Sequence, residues 1–210
     1  MGVGVTGRKA MREAWQNSAI RSALAHSYRW LRHVPERLAH PSRRARARAL
    51  VAATPPPRQI LYICLGNVCR SPYAEVASRR DAARWTSPPP AWVSAGFIGP
   101  DRPSPELARE VAVERGAPLD SHRSQIVSRE LVETSDLIVV MEAYQANELG
   151  LQFGRRRGVV ILGDLDPRPI TTRTITDPWN KSRDVFVASY ERIDRCLVAL
   201  AEWVGPEGSS

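Results

Sequence analysis

Cysteine and long apolar runs are both scarce in this chain. Its 210 residues include three cysteines, Cys64, Cys69 and Cys196, and this small, odd number argues against the disulfide framework of a secreted domain. No stretch approaches the apolar length of a membrane span, and the first residues lack the continuous apolar core of a signal peptide. Two of the cysteines lie five residues apart, in a segment that requires a reducing compartment. We therefore expect a cytoplasmic protein.

Acidic residues are scarce only in the first quarter of the chain. Residues 1–58 hold 12 Lys and Arg against two acids, a net charge of +10, whereas residues 59–210 hold 18 against 20, a net charge of −2. Together these make the +8 of the whole chain. The part with near-neutral charge is long enough for one domain, and the basic part is an extension to it.

The basic extension combines a helical pattern with a predicted linker. Apolar spacing over residues 8–38 predicts a partly amphipathic helix that Pro35 would kink or end. An arginine run and three consecutive prolines predict a linker over residues 41–57. The helix could be an accessory element packed on the domain or largely mobile. It could also contact an anionic membrane weakly through residues 8–48, or be a mitochondrial transit peptide. The arginine run lacks interleaved aromatic residues, so no specific nucleic-acid partner is expected.

The most informative stretch is Cys64-Leu65-Gly66-Asn67-Val68-Cys69-Arg70-Ser71-Pro72. The short apolar run 60–63 before it predicts a buried strand, and residues 72–85 after it predict a helix. A strand–loop–helix turn directs backbone N–H groups and a helix N-terminus at one point, which makes an anion site.

The residue types in this turn suit covalent phosphate transfer. Cys64 at the end of the strand faces N–H donors that favour the thiolate, which is the nucleophilic form. The planar fork of Arg70 can hold two phosphate oxygens. Gly66 permits close backbone approach, Asn67 tolerates a left-handed conformation, and the Ser71 hydroxyl can donate to the thiolate. Such a site needs no metal and no cofactor.

The rest of the chain alternates strands and helices. The pattern predicts a parallel α/β sheet with helices on both faces. We predict strands at 60–64, 92–94, 137–141 and 159–162, and helices at 72–85, 105–115, 128–134, 142–149 and 183–203.

The nine-residue string resembles the active-site loop of the low-molecular-weight protein tyrosine phosphatases, and a second signature of that family is present as Asp177-Pro178-Trp179. The resemblance covers about residues 59–204. It implies a three-layer fold with a four-stranded, doubly wound sheet of order 2-1-3-4. We expect an extension and linker at 1–57, a phosphatase domain at 58–205 and a tail at 206–210.

A tyrosine phosphate requires an acid that protonates the leaving phenolate, and Asp177 is the candidate. Pro178 would stiffen its loop, and Trp179 could stack on the substrate ring. The dipeptide also occurs at Asp166-Pro167. The aromatic residue after Pro178 favours Asp177, and the resemblance gives the matching aspartate the role of general acid.

The resemblance also assigns supporting residues. Ser94 and His122 match a serine and a histidine that hydrogen-bond to the loop asparagine. Cys69 matches a cysteine that can form a reversible disulfide with the nucleophile. Leu65, Gly66, Asn67, Val68, Cys69 and Ser71 would form the phosphate-binding loop.

Alternatives from related families and from another class stay open. Protein arginine phosphatases share the loop but typically carry threonine at the position of Val68. Thiol-dependent arsenate reductases need two further redox cysteines, and only Cys196 remains. A silent phosphotyrosine-binding module would not need Cys64, Arg70 and Asp177 together. The resemblance implies a phosphotyrosine-containing protein as substrate, with a bacterial tyrosine kinase as one candidate. The shortened loop after Gly96 leaves substrate preference open.

Overall fold

The computed structural model describes residues 19–205, with side chains from residue 34 onward. The predicted start of the first helix at residues 8–18 and the predicted tail at 206–210 lie outside the described residues.

A four-stranded sheet forms the centre of the fold. Its strands are β1 (Gln59–Cys64), β2 (Ala91–Gly96), β3 (Leu137–Val140) and β4 (Val159–Ile161). All neighbouring pairs are parallel, and the spatial order is β2-β1-β3-β4. The two central strands are apolar and buried on both faces, as a parallel sheet covered by helices requires. The predicted order is confirmed.

Within residues 19–205, six helices surround or flank this sheet. They are α1 (Ala19–Ala52), α2 (Arg70–Arg80), α3 (Glu106–Glu114), α4 (Arg129–Thr134), α5 (Ala143–Phe153) and α6 (Arg183–Val204). Short 3-10 helices span Ala82–Arg84 and Leu162–Leu165. The larger core joins one sheet face to α1, α2, α3 and α6, and the smaller core joins the other face to α4 and α5. Because these strands are parallel, the carboxyl ends of β1, β3 and β4 lie at the same end of the sheet.

Helix α1 contradicts the predicted linker. It continues through Pro35 and Pro41 to Ala52, so only residues 53–58 separate it from β1. An interior proline costs a helix about 3 kcal/mol, and tertiary packing offsets that cost here. Ala47 and Val51 are buried in the larger core. For residues 34–52 this packing supports the alternative of an accessory helix on the domain.

Polar contacts fix α1 in the same place. The His40 Nε2 donates to the carbonyl of Asp166 at 2.9 Å. The Arg44 guanidinium lies 5.0 Å from the centre of the Trp203 ring on α6, where cation–π attraction applies. No helix within residues 19–205 is long and apolar enough to cross a membrane.

Candidate active site

The phosphate loop, residues 64–71, leaves the carboxyl end of β1 and enters α2. The main chain after β2 holds it from the side, because the Phe97 N–H donates to the Leu65 carbonyl at 2.7 Å. A Cβ at Gly96 would lie 2.7 Å from both the Asn67 nitrogen and the Leu65 oxygen. Gly96 is therefore required where the two segments touch. No side chain in the described part of the chain caps α2, which leaves its first N–H groups available to an anion.

The Cys64 sulfur lies at the centre of this loop. It accepts hydrogen bonds from the Asn67 N–H at 3.2 Å and from the Ser71 hydroxyl at 3.1 Å. Both donors stabilise a negative sulfur. The Ser71 contact matches the expectation from the sequence.

Asn67 adopts the left-handed conformation, with φ of 50°, and four contacts hold it there. Its Nδ2 donates to the hydroxyl oxygens of Ser94 at 2.9 Å and Ser71 at 3.0 Å, and its Oδ1 accepts from the Gln125 N–H at 2.9 Å. The His122 Nε2 donates to the main-chain carbonyl of Asn67 at 2.7 Å. Ser94 therefore contacts the asparagine side chain, whereas His122 contacts its backbone.

Arg70 is 1% exposed and contacts two carboxylates. Its Nη1 donates to Glu142 Oε1 at 2.8 Å and to the Ile175 carbonyl at 3.0 Å, and its Nη2 donates to Asp177 Oδ2 at 2.7 Å. Burial alone would lower the pKa of the guanidinium, but the charges of Cys64 and Asp177 and the bond to Glu142 raise it above its ordinary value. Its buried Nε has no partner among the described residues. A phosphate oxygen in the loop could accept that hydrogen bond.

The two Asp-Pro dipeptides have different surroundings. The Asp177 carboxylate is 42% exposed and opens to the cleft above the Cys64 sulfur. The Asp166 carboxylate is 2% exposed and bonded to Arg192 at 3.0 Å and Arg195 at 3.2 Å. Asp164 is likewise paired, with Arg173. Of the three aspartates, Asp177 alone lines this cleft.

The cleft wall is largely apolar near its mouth. Leu65, Ile98 and Trp179 line it and are partly exposed, and Trp179 is 44% exposed. The main-chain N–H of Trp179 donates to Asp177 Oδ1 at 3.2 Å, so these two residues lie in one turn. Val68 also lines the cleft, with its side chain mostly buried.

The comparisons with known proteins agree with this geometry. A family model described as low molecular weight phosphotyrosine protein phosphatase matches residues 59–209. This chain belongs to that family. The match begins at β1 and leaves α1 outside it.

Several family members are similar over the same region. The probable low molecular weight protein-tyrosine-phosphatase EpsP of Ralstonia nicotianae is 33% identical over 150 residues, which cover 70% of this chain and 94% of EpsP. The structure of Vibrio vulnificus Wzb with benzylphosphonate gives a TM-score of 0.61 at 28% identity, covering 69% of this chain and 97% of Wzb. The YwlE arginine phosphatase with a phosphorylated active-site serine also gives 0.61 at 28% identity, covering 69% and 93%.

The other two cysteines of this family member, Cys69 and Cys196, are both buried. Burial, together with the nearby charge of Cys64, raises the pKa of the Cys69 thiol far above its ordinary value. Burial does the same to Cys196, which lies within α6. Both therefore remain thiols at neutral pH, and neither is a competing nucleophile.

Two charged site residues were missed by the sequence analysis. Glu142, which holds Arg70, follows β3, and parallel β3 lies beside β1. That strand order predicts a side chain at the edge of the site, so the topology could have identified it. Arg102, which also lines the cleft, donates from Nη2 to the Gly66 carbonyl and from Nε to the Gly99 carbonyl, each at 2.8 Å. No sequence signal distinguished Arg102 from other loop arginines.

Proposed function

We propose that this protein hydrolyses phosphotyrosine in proteins through a cysteinyl-phosphate intermediate. One observation carries the proposal. The Cys64 sulfur, which accepts two hydrogen bonds, lines the same cleft as Arg70 and Asp177. Arg70 is buried, its Nε has no partner among the described residues, and its Nη2 donates to Asp177. Nucleophile, phosphate clamp and proton donor are then Cys64, Arg70 and Asp177, all within the predicted domain at 58–205.

In the first step the Cys64 thiolate attacks phosphorus. The S–P bond forms as the P–O bond to the phenol breaks, and Asp177 in its acid form gives its proton to the leaving oxygen. Arg70 and the loop N–H groups stabilise the charge on the equatorial oxygens. Because phosphate offers Arg70 a new partner for Nη2, substrate binding frees Asp177 from that ion pair.

In the second step water attacks the cysteinyl phosphate. Asp177, now a carboxylate, accepts the proton of the water, and the S–P bond breaks to return the Cys64 thiolate. The Ser71 hydroxyl, 3.1 Å from the sulfur, stabilises that leaving thiolate. Glu142 keeps the guanidinium in place through both steps.

The cleft mouth supports an aromatic phosphate as substrate. Trp179 and Ile98 give apolar surface beside the acid, which suits a phenyl ring. Relatives such as EpsP are named protein-tyrosine-phosphatases, and we infer a phosphotyrosine-containing protein, for example a tyrosine kinase, as partner. The free thiols Cys64 and Cys69 require reducing conditions, so we place the reaction in the cytoplasm.

An arginine phosphatase is the second candidate, because YwlE is similar in structure. Val68 lines the cleft without the hydroxyl that arginine phosphatases typically carry at this position, which favours tyrosine. Arsenate reduction has less support, since Cys196 is fully buried in α6.

The decisive experiment measures turnover of a phosphotyrosine peptide and of para-nitrophenyl phosphate. Cys64→Ser should abolish both while vanadate still binds, since the loop donors remain. Cys196→Ser is the matched control and should keep near-normal turnover. Near-normal turnover by Cys64→Ser would show that the Cys64 thiolate is not required, and a wild-type preference for phosphoarginine peptides would replace the proposed substrate.

A further inference from the structure

A second groove lies between α1 and the segment that follows β4. Its volume is ≈ 440 Å³, within the range of roughly 300–1,000 Å³ that ligand pockets take. Three arginines and three prolines line it: Arg37, Arg44, Arg48, Pro41, Pro167 and Pro169. The family match begins at residue 59, so one wall of this groove comes from outside the family domain.

The arginines form one row on α1. Arg37, Arg44 and Arg48 are spaced seven and four residues apart, which places them on one helix face. At 1.5 Å per residue the row is about 16 Å long. Arg37 and Arg48 are exposed and make no ion pair or hydrogen bond with any residue from 34 to 205. No charge on residues 34–205 is paired with them.

The floor of the groove does not cancel this charge. Asp166 is the nearest acid in sequence to Pro167, but its buried carboxylate is bonded to Arg192 and Arg195. Its carbonyl accepts from His40 on α1, which joins the two walls. The groove is therefore cationic, with its two walls joined by a hydrogen bond.

Pro167 and Pro169 of the groove follow β4 along the chain, as the phosphate loop follows β1. β4 is two strands from β1, and adjacent strands lie about 4.8 Å apart, so about 10 Å separates the strand ends. The chain from Pro169 also leads directly to Asp177. A polypeptide with its phosphotyrosine over Cys64 could extend to the arginine row.

We propose that this groove binds a segment of the protein substrate that carries several Asp or Glu side chains. The inference rests on the proposed function. Guanidinium groups bind carboxylates bidentately, and rows of arginine recognise acidic peptide motifs. The concave shape between proline walls fits an extended chain, whereas a bilayer surface would need a flat or convex cationic face.

The test compares two double variants with the same change in net charge. The groove pair, Arg37→Glu with Arg48→Glu, reverses the charge of two groove residues. The control pair, Arg46→Glu with Arg157→Glu, reverses the charge of two exposed arginines that do not line the groove. An unphosphorylated Glu-rich peptide is titrated by fluorescence anisotropy at low salt. We expect binding to the wild type and the control pair, and binding about tenfold weaker to the groove pair. The corresponding Arg→Gln pair repeats the test should the Glu pair misfold.

Kinetics connect the groove to the reaction. The substrates are phosphotyrosine peptides with a Glu cluster three to ten residues before or after the tyrosine. For these peptides we expect the kcat/KM of the groove pair to be about tenfold below that of the wild type, and the kcat/KM of the control pair to be unchanged. Para-nitrophenyl phosphate turnover should be unchanged in both pairs.

Equal affinity of the groove pair and the control pair for the Glu-rich peptide would overturn the proposal. So would sedimentation with anionic vesicles that requires Arg37 and Arg48 while the peptides show no difference, since the ligand would then be a membrane. Anisotropy does not depend on turnover, so failure of the proposed function and failure of the groove are told apart.

Discussion

The phosphate loop and helix α1 both carry arginines, and the two regions use them differently. Arg70 is enclosed, with two carboxylates and a carbonyl fixing three of its donors in place. Arg37 and Arg48 extend from α1 into a groove without partners among the described residues. Burial of an unpaired guanidinium costs a large desolvation free energy, which the pairing of Arg70 offsets. Such an arrangement suits a site where the orientation of the guanidinium matters. The second leaves exposed positive charge that suits a partner of varying sequence.

The sharpest test of this contrast replaces one arginine in each region with lysine. Arg70→Lys keeps the charge but loses the planar fork, so we expect kcat on para-nitrophenyl phosphate to fall about 10²–10³-fold. Arg48→Lys, the control on α1, should leave it unchanged. Near-normal turnover by Arg70→Lys would show that a point charge is sufficient and would remove the bidentate clamp from the mechanism.

The two Asp-Pro segments extend the comparison to the acids. Asp177→Asn should slow hydrolysis of phenyl phosphate by about 10²–10⁴-fold and that of para-nitrophenyl phosphate much less, since only the poorer leaving group needs the proton. Asp166→Asn breaks a buried ion pair, so it should lower Tm and leave the ratio of the two rates unchanged. Equal losses for both substrates in Asp177→Asn would assign the proton to another group.

Residues close in sequence were predictable, and residues joined only by the fold were not. The loop from Cys64 to Ser71 is one local segment whose residue types indicate its chemistry. The alternation of strands and helices predicted a parallel α/β sheet, and the strand order followed from the resemblance to the family. Glu142 reaches Arg70 only because β3 pairs with β1. The helical state of residues 41–52 depends on packing against α6, more than 120 residues away, which outweighs the local effect of Pro41.

Substitution of Val68 should change substrate preference by less than the Arg70 and Asp177 substitutions change the rate. Val68→Thr adds the hydroxyl found in arginine phosphatases without changing side-chain volume greatly. We expect the ratio of kcat/KM for phosphoarginine to that for phosphotyrosine peptides to rise, by about tenfold. The matched control is Val93→Thr on β2, outside the cleft. A ratio unaffected by Val68→Thr would show that this position does not select the substrate.

The smallest effect on catalysis should come from the contact between α1 and the core. Val51 is buried beside α6, and truncation to alanine removes two methyl groups and leaves a small cavity, at a cost of about 2 kcal/mol. For a chain of this size Tm should fall by about 4–8 °C, measured by thermal unfolding.

Leu38 on the same helix is 76% exposed, so Leu38→Ala should change Tm little. Turnover of para-nitrophenyl phosphate at 25 °C should be unchanged in both, because none of the α1 residues from 34 to 52 lines the cleft. Removal of residues 1–57 should likewise spare the chemistry while lowering Tm more than Val51→Ala. If Val51→Ala left Tm unchanged, α1 would not be docked through this face, and the groove that it forms with Pro167 and Pro169 would lose its wall.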